Sequence, residues 1–307
     1  MSSSEKLALD GGLPVRDLER DPWPDWPQNS QADWDAEIEP ALRKVYLEKV
    51  EGLPAQQGED FGQAFARYHQ ADYGLMMPHG TDAIMAALAG ALDLDGLGEG
   101  GQVILPNYTF IATASAALFM RCSLALVDVD PVSFTMAPEA VEAAITDKTV
   151  AILPVHLGGH PADMDTLNAI ATKHNLAVIE DCAQAHGAEY KGRKVGSLSD
   201  VGAFSFQSSK NLTSGEGGCL VTNNEEVWSR AYAFKDVGRR PGGERWEYPR
   251  LGWNYRASEY LAAMLRVRLT RLDDQTQLRN ENAVYLSECL DEIGGITPPR
   301  WRPWASQ

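Results

Sequence analysis

The sequence predicts an α/β protein with a mainly parallel sheet flanked by helices. Two observations carry this prediction. Short apolar stretches of strand length alternate along the chain with helical stretches of about ten residues or more. Two of the short stretches, VAILPV and LAVI, are almost continuously apolar, which is typical of strands buried on both faces. A length of 307 residues suffices for a sizeable core and about two domains.

Residues 1–35 are predicted to form an extended N-terminal arm. The stretch RDPWPDWPQNSQADW is rich in Pro, Trp and Asp, and prolines at this density exclude a helix. Its tryptophans, Trp23, Trp26 and Trp34, indicate that the arm packs on a surface. The sequence favours neither of two surfaces, that of its own domain or that of a partner subunit.

Residues 36–255 are predicted to form a large domain of alternating helices and strands. The first two helices are DAEIEPALRKVYLEKV and GQAFARYHQA. Strand DYGLMMP and helix GTDAIMAALAGALDL follow, and this helix opens with the start signal Gly80-Thr81-Asp82. The next pairs of strand and helix are QVILP with FIATASAALFMR, LALVDVD with APEAVEAAIT, and VAILPVH with DMDTLNAIATKHN. Strands LAVIED, VGAFSF and CLVTN complete the domain.

From Ala257 the pattern becomes helical, and SEYLAAMLRVRLTRLDDQTQLRNENAVYLSECLDEI shows almost no interruption. This change predicts a domain boundary near residue 255. Residues 256–307 are therefore expected to hold one long helix and the beginning of a smaller C-terminal domain. Because no closing strands follow before PPRWRPWASQ, we expect that domain to be incomplete.

Composition and motifs argue against several classes of function. The chain has 27 Lys and Arg against 43 Asp and Glu, a net charge of −16 that repels nucleic acids. The four cysteines contain no C-x-x-C pair, and two glycines separate His156 from His160, so no metal site is expected. Neither a P-loop nor G-x-G-x-x-G is found, which argues against ATP and NAD. Without a signal peptide or membrane span, a soluble cytoplasmic protein is expected.

Polar residues follow several predicted strands, where open α/β sheets bind their ligands. Gly80 and Thr81 offer N–H groups and a hydroxyl to an anion, and Lys210 offers an amine for a Schiff base. Taken alone, Gly80 and Thr81 are better explained as a helix cap and Lys210 as a solvated loop lysine, and Asp181 is also credible as an N-cap. With Phe110 they form the set that pyridoxal phosphate needs: a phosphate cradle, an aromatic ring, an acid for the pyridine nitrogen and a lysine.

Longer motifs carry a resemblance to a known family. HGTDAIMAAL, LPNYTFIATASA, VIEDCAQAHGA, GAFSFQSSKNLTSGEGG and LGWNYRASEYLAAML together resemble the DegT/StrS-type family of pyridoxal-phosphate-dependent sugar aminotransferases. The resemblance covers almost the whole chain and implies the fold of the type I pyridoxal-phosphate-dependent transferases.

The resemblance also implies roles for eight residues. Lys210 would hold the cofactor as a Schiff base, and Asp181 would pair with the pyridine nitrogen. Gln184 would contact the ring hydroxyl, and Phe110 would stack on the ring. The phosphate would be held by Gly80, Thr81 and Ser205, and by Asn254 of the neighbouring subunit. Asn254 therefore implies a homodimer with shared active sites.

The implied reaction moves an amino group from Glu or Gln to a nucleotide-linked keto sugar or a ketocyclitol. Lys210 would carry the proton in this reaction, and a lysine at this position favours transamination over the dehydration that histidine-bearing relatives catalyse. Such an enzyme is expected to serve amino-sugar biosynthesis, in a surface-polysaccharide or an antibiotic pathway. His79 stands where relatives often have Asn or Ser.

Two alternatives stay open. The first is a related pyridoxal-phosphate enzyme of antibiotic biosynthesis, similar to aminohydroxybenzoate synthase. The second is a non-catalytic regulatory or interaction protein that has kept the fold, against which Lys210 and Asp181 argue.

Overall fold

The computed structural model describes residues 12, 19, 26–27, 29–49, 56–94, 100–244, 246–293 and 295–305. Most of the predicted arm, including Trp23, lies outside these residues. The described end of the arm is helical from Gln31, earlier than the predicted boundary, because Ser30 caps the first turn by accepting a hydrogen bond from Asp33 N (3.0 Å). This end packs on its own chain, since the Arg279 guanidinium lies 4.7 Å from the centre of the Trp26 ring.

Seven strands form one sheet in the order β1-β9-β8-β5-β4-β2-β3. Six of them are mutually parallel, and β9 runs antiparallel to both of its neighbours, β1 and β8. Residues 206–217, which carry Lys210, therefore connect the two strands of an antiparallel hairpin. The predicted mainly parallel sheet is confirmed. The strands are Tyr73–Met77 (β1), Gln102–Pro106 (β2), Ser123–Val127 (β3), Thr149–Ile152 (β4), Ala177–Asp181 (β5), Val201–Ser205 (β8) and Gly218–Thr222 (β9), with a separate pair Glu189–Tyr190 (β6) and Arg193–Lys194 (β7).

Helices cover both faces of the sheet, and two hydrophobic clusters fill the space between the layers. One cluster includes residues of α3, α6, α7 and α9, and the other includes residues of α4, α5 and α8. The helices are Gln31–Asp33 (α1), Glu39–Leu47 (α2), Gln56–Tyr68 (α3), Gly80–Ala91 (α4), Ala112–Phe119 (α5), Pro138–Ala144 (α6), Met164–His174 (α7), Glu225–Lys235 (α8), Glu259–Leu269 (α9) and Leu272–Asp291 (α10), with a π-helical turn at Trp34–Ile38.

Two helical features differ from the prediction. Helix α8 was not predicted, although Asn224 and two acidic residues mark its start and the Asn224 side chain accepts from Glu226 N (2.9 Å). The predicted single long helix is two helices, α9 and α10, separated at Thr270 and Arg271. The Thr270 hydroxyl donates to Val267 O (2.8 Å), a local bond that competes with the helical backbone pattern.

No helix in the described parts of the chain combines the length and the apolar character that crossing a bilayer requires.

The ring of Phe65 lies at the centre of the aromatic part of the core. Its centroid is 4.9 Å from that of Phe204 and 5.2 Å from that of Phe206, and the residue is fully buried. We expect Phe65→Ala to lower the free energy of unfolding by about 3–5 kcal/mol because it leaves a cavity. Urea unfolding measures this loss. Leu47→Ala, at a side chain that is 61% exposed, should change it by less than about 0.5 kcal/mol, and equal losses would contradict the prediction.

Candidate active site

A cavity of about 450 Å³ opens at the carboxyl ends of β5 and β8. Its walls come from the start of α4, the start of α5 and the loop that follows β8. This is the place where open α/β sheets bind ligands. The structure brings together seven of the eight predicted site residues in this cavity: Gly80, Thr81, Phe110, Asp181, Gln184, Ser205 and Lys210.

Lys210 lies in the hairpin loop after β8, and its position follows from a tight local turn. Lys210 N donates to Gln207 O (2.9 Å), while Gln207 Oε1 accepts from Ser209 N (2.9 Å). The side chain is partly buried in the cavity wall. Burial lowers the pKa of Lys210, and the charge of Asp181 partly opposes this shift. A larger share of this amine is therefore uncharged than of an ordinary lysine, as a nucleophile requires.

Two arginines of the C-terminal helices hold the backbone next to Lys210. Arg268 of α9 donates to Thr213 O (2.6 Å), and Arg279 of α10 donates to Asn211 O (3.4 Å). The lysine loop is thus fixed by residues far from it in sequence. These two contacts could not be predicted from the sequence, because an arginine on a helix is most often solvated.

Asp181 is the last residue of β5 and is 4% exposed. Its Oδ2 accepts from the Thr113 hydroxyl (2.7 Å), and its Oδ1 accepts from Ala183 N (3.1 Å). Burial raises the pKa of Asp181, whereas these hydrogen bonds and the Lys210 charge favour the ionised form. The carboxylate is therefore held in one orientation, and a cationic N–H group in the cavity would complement it.

The start of α4 and the end of β8 approach each other closely. A Cβ on Gly80 would lie 2.5 Å from Ser205 Cβ and 3.0 Å from Ser205 Oγ, so only glycine fits there. The first N–H groups of a helix lack partners within the helix and attract anions. With the hydroxyls of Thr81 and Ser205 nearby, this end of the cavity fits a phosphate group.

His186 is hydrogen-bonded to the backbone of Ser205. It is 2% exposed, and its Nε2 donates to Ser205 O (2.8 Å). Burial lowers the pKa of His186 to about 3, so the ring is neutral. The sequence motif AQAHGA contains this residue, but its contact with the end of β8 could be seen only in the fold.

Gln184 is hydrogen-bonded to the protein, whereas Phe110 is exposed at the cavity wall. Gln184 Oε1 accepts from Gly158 N (2.8 Å), which leaves its NH₂ group to contact a ligand. Phe110 is 66% exposed at the cavity wall, so one face of its ring is available for stacking.

Asn254 is the eighth predicted residue, and the structure does not bring it to this cavity. It is exposed in the segment between α8 and α9 and is not among the described residues that line the cavity. Its predicted contact with the cofactor of a neighbouring subunit stays a prediction.

A buried network beside Asp181 was missed at the sequence level. Glu180 accepts from the N–H groups of Gly196 (2.7 Å) and Leu198 (2.9 Å), from the Ser199 hydroxyl (2.9 Å) and from His156 Nε2 (2.9 Å). His156 Nδ1 in turn accepts from Ala162 N (3.1 Å), so its proton is on Nε2. Glu180 and His156 come within metal-binding range of Cys182, but their atoms are already hydrogen-bonded, which gives this group a structural role.

The imidazole of His79 and the carboxylate of Glu216 border the phosphate end of the cavity. His79 Nδ1 lies 3.0 Å from Glu216 Oε2, and both side chains are about half exposed. His79 directly precedes α4, and Glu216 belongs to the GEGG turn.

The chain is similar to known aminotransferases over most of its length. Residues 34–307 match the DegT/DnrJ/EryC1/StrS aminotransferase family. A putative L-glutamine:3-amino-2,3-dideoxy-scyllo-inosose aminotransferase of Streptoalloteichus tenebrarius is 40% identical over 296 residues, which cover 96% of this chain and 69% of the relative. An L-glutamine:2-deoxy-scyllo-inosose aminotransferase of the same organism is 41% identical over 300 residues, covering 94% and 69%.

The structure of 3-amino-5-hydroxybenzoic acid synthase superposes with a TM-score of 0.83 at 35% sequence identity. The match covers 92% of this chain and 72% of the synthase. The fold and the cavity therefore define a fold type I pyridoxal-phosphate-dependent transferase. Within that class, the chain belongs to the DegT/DnrJ/EryC1/StrS aminotransferase family. The predicted fold, family, enzyme class and cofactor are confirmed, and the roles of the individual residues stay predictions.

Burial lowers the pKa of Lys210 and the Asp181 charge raises it, so removing that charge should change the pH at which Lys210 reacts. Asp181→Asn removes the charge that favours the ammonium form, so the pKa of Lys210 should fall further below its usual value. In cofactor-free protein, acetylation of Lys210 should then begin at a lower pH in the variant than in the wild type. Mass spectrometry across a pH series measures this, with exposed Lys148 as the internal reference. An unchanged or higher midpoint for Lys210 would contradict the prediction.

The close approach of Gly80 to Ser205 predicts a steric effect on cofactor binding. Gly80→Ala should weaken the affinity for pyridoxal phosphate about tenfold or more, because the start of α4 must move away from Ser205. Titration followed by protein fluorescence measures the affinity. The same substitution should cost far less in a Ser205→Gly background, where the opposing Cβ is gone. Equal losses in both backgrounds would rule out the steric explanation.

Proposed function

We propose that this protein transfers the amino group of L-glutamine to the ketone of a cyclitol of the scyllo-inosose type. The observation that carries the proposal is the arrangement of Lys210, Asp181 and the α4 start around one cavity. The names of the relatives that are 40% and 41% identical support the glutamine donor and the inosose acceptor.

The cavity residues fit pyridoxal phosphate, and we assign them the following contacts. Lys210 would hold the cofactor, Asp181 would pair with its ring nitrogen, and Phe110 would stack on its ring. The NH₂ group of Gln184 would donate to the ring hydroxyl. The start of α4, with Gly80 and Thr81, and Ser205 would hold the phosphate.

The bound cofactor supplies an electron-withdrawing ring that makes the hydrogen on the donor's α-carbon acidic. The amine of Lys210, once the donor amine has replaced it on the cofactor, would remove this proton at Nζ and later return one. Its lowered pKa favours this role, because the uncharged amine is the base. Asp181 stabilises positive charge at the ring nitrogen. Its own pKa, raised by burial alone, would be lowered by that charge, so each group stabilises the ionised form of the other.

The polar wall of the cavity suits an acceptor rich in hydroxyl groups. Thr109, Gln207 and Ser209 line it, and His79 and Glu216 add an imidazole and a carboxylate. A hydroxyl can donate to the carboxylate and accept from a threonine or an amide in one pose, which a cyclitol ring offers on several carbons.

We also propose a homodimer with shared active sites. Apolar side chains are exposed close to the cavity, among them Tyr108, Phe110 and Ile111. Trp246 and Trp253, in the segment that carries Asn254, are also exposed. A second copy of the chain would cover such a surface and bring Asn254 to the partner's cofactor phosphate. A cytoplasmic location, and the choice between polysaccharide and antibiotic pathways, stay predictions.

The similarity to aminohydroxybenzoate synthase supports one alternative acceptor. The synthase is 35% identical to this chain, less than the inosose aminotransferases. The two acceptors differ in chemistry, since one is a hydroxyl-bearing ring ketone and the other leads to an aromatic acid. Product analysis therefore separates them.

A donor half-reaction tests the proposed function. Glutamine added to cofactor-loaded protein should change the visible absorption of the cofactor, and 2-deoxy-scyllo-inosose should reverse that change. Lys210→Ala should slow both steps by at least about 100-fold because the proton carrier is lost. Lys148→Ala, at an exposed lysine outside the cavity, serves as the matched control and should react as the wild type does.

Protein that retains the cofactor but shows no change with glutamine or glutamate would support a non-catalytic role instead. A change with glutamine that no inosose reverses would leave the donor intact and reject the cyclitol acceptor.

A further inference from the structure

We propose that Asp236 is a positioning residue that acts on the active site of the partner subunit, by holding Asn254 in place. The inference rests on the proposed function, in which Asn254 reaches the cofactor phosphate of a second copy of this chain. Asp236 itself touches neither the cavity of its own subunit nor, in this proposal, the cofactor of the partner.

Asp236 is a buried carboxylate between two cations. It follows α8 directly and is 5% exposed. Its Oδ1 lies 2.8 Å from Arg256 Nη1 and 3.3 Å from Arg239 Nη1. A buried ion pair of this kind is costly to break, because the remaining charges lose their partner. Asp236 therefore ties the two ends of the segment 239–256 together.

The backbone reinforces this connection at the position of Asn254. Asp236 and Asn254 form an isolated antiparallel bridge. The residues on either side of Asn254 bond to the residues on either side of Asp236: Val237 N donates to Trp253 O (2.9 Å) and Tyr255 N donates to Lys235 O (2.9 Å). The path of the chain through Asn254 is thus set by its pairing with Asp236.

The backbone after Asp236 passes so close to the backbone at Arg250 that neither can move nearer. Gly238 has φ +94°, and a Cβ there would lie 1.9 Å from Arg250 O. Loss of the Asp236 contacts cannot be compensated by a closer backbone approach. The Asn254 side chain, by contrast, is exposed, so the rigid backbone presents a polar group to the surroundings.

The ion pair of Asp236 and its bridge to Asn254 could instead support the active site of their own subunit. The two possibilities differ in which active site fails when Asp236 is replaced. If Asp236 acts through Asn254 on the partner, the damaged site is the partner's. If it supports its own subunit, the damaged site is its own.

Mixed dimers distinguish the two cases. Two chains with different affinity tags are produced together, one with Asp236→Asn and the other with Lys210→Ala, and the doubly tagged dimer is isolated. One of its sites then combines an intact Lys210 with an intact Asp236 and Asn254 from the partner. We expect about half the wild-type turnover per dimer, because one of two symmetric sites is complete. The assay is run at a pyridoxal phosphate concentration that loads the wild-type protein but only a small part of the Asp236→Asn homodimer. Each variant alone should then show a small fraction of the wild-type turnover.

A binding measurement accompanies the turnover. Titration with pyridoxal phosphate should show a loss of affinity of about tenfold or more in the Asp236→Asn homodimer, similar to the loss in Asn254→Ala. The second variant removes one hydrogen bond to the phosphate, and the first displaces the residue that makes it. Asp93→Asn is the matched control. Asp93 pairs with Arg250 of the same segment but is exposed and away from Asn254, so its loss should leave affinity and turnover unchanged.

The outcomes separate this inference from the proposed function. One outcome is that turnover recovers in the mixed dimer of Asn254→Ala with Lys210→Ala but not in that of Asp236→Asn with Lys210→Ala. This result would overturn the role of Asp236 and leave the shared active site standing. Failure of both pairs would overturn the shared site, and the role of Asp236 with it. An Asp236→Asn homodimer with wild-type affinity would also overturn the inference. Should that variant not fold, Arg256→Gln, which removes one partner of Asp236, is expected to recover in the same way.

Discussion

The structure depends on how two neighbouring carboxylates are buried at the end of β5. Successive residues of a strand point to opposite faces of the sheet, so Glu180 and Asp181 meet different surroundings. Glu180 faces the side where Gly196, Leu198, Ser199 and His156 donate to it. An ionised carboxylate is tolerated inside a protein only with such compensation. Its four donors tie the ends of β4 and β5 to the turn before β8.

Asp181 faces the other side and receives fewer donors, one from Thr113 and one from Ala183. The difference between the two residues explains their different uses. Glu180 is fully compensated by the protein and can only support the fold. Asp181 has fewer donors, and in the proposed function a protonated ring nitrogen would supply the positive charge that stabilises its ionised form. The hydrogen bonds of Glu180 thus help to keep the adjacent Asp181 in position.

Much of this arrangement could be predicted from the sequence, because it follows from strand ends. Short apolar runs identified the strands, and the polar residues after them, such as Asp181 and Lys210, converge wherever parallel strands end together. The alternation of strands and helices could also be predicted, because it depends on local sequence patterns. Contacts between residues far apart in the sequence could not be predicted. Arg268 reaches Thr213 over 55 residues, and Arg256 reaches Asp236 over 20, and neither arginine differs from a surface arginine in its sequence surroundings.

The antiparallel strand β9 has a consequence for how the site forms during folding. It makes the Lys210 segment the loop of a hairpin, whose two strands are close in the chain and cost little entropy to bring together. The contact between Thr113 and Asp181, in contrast, spans 68 residues and depends on parallel pairing. The hairpin therefore forms locally, but the lysine loop reaches its final position only through the arginine contacts, which span 55 and 68 residues. Cofactor capture would then report the completion of both the parallel sheet and the packing of the C-terminal helices on the loop.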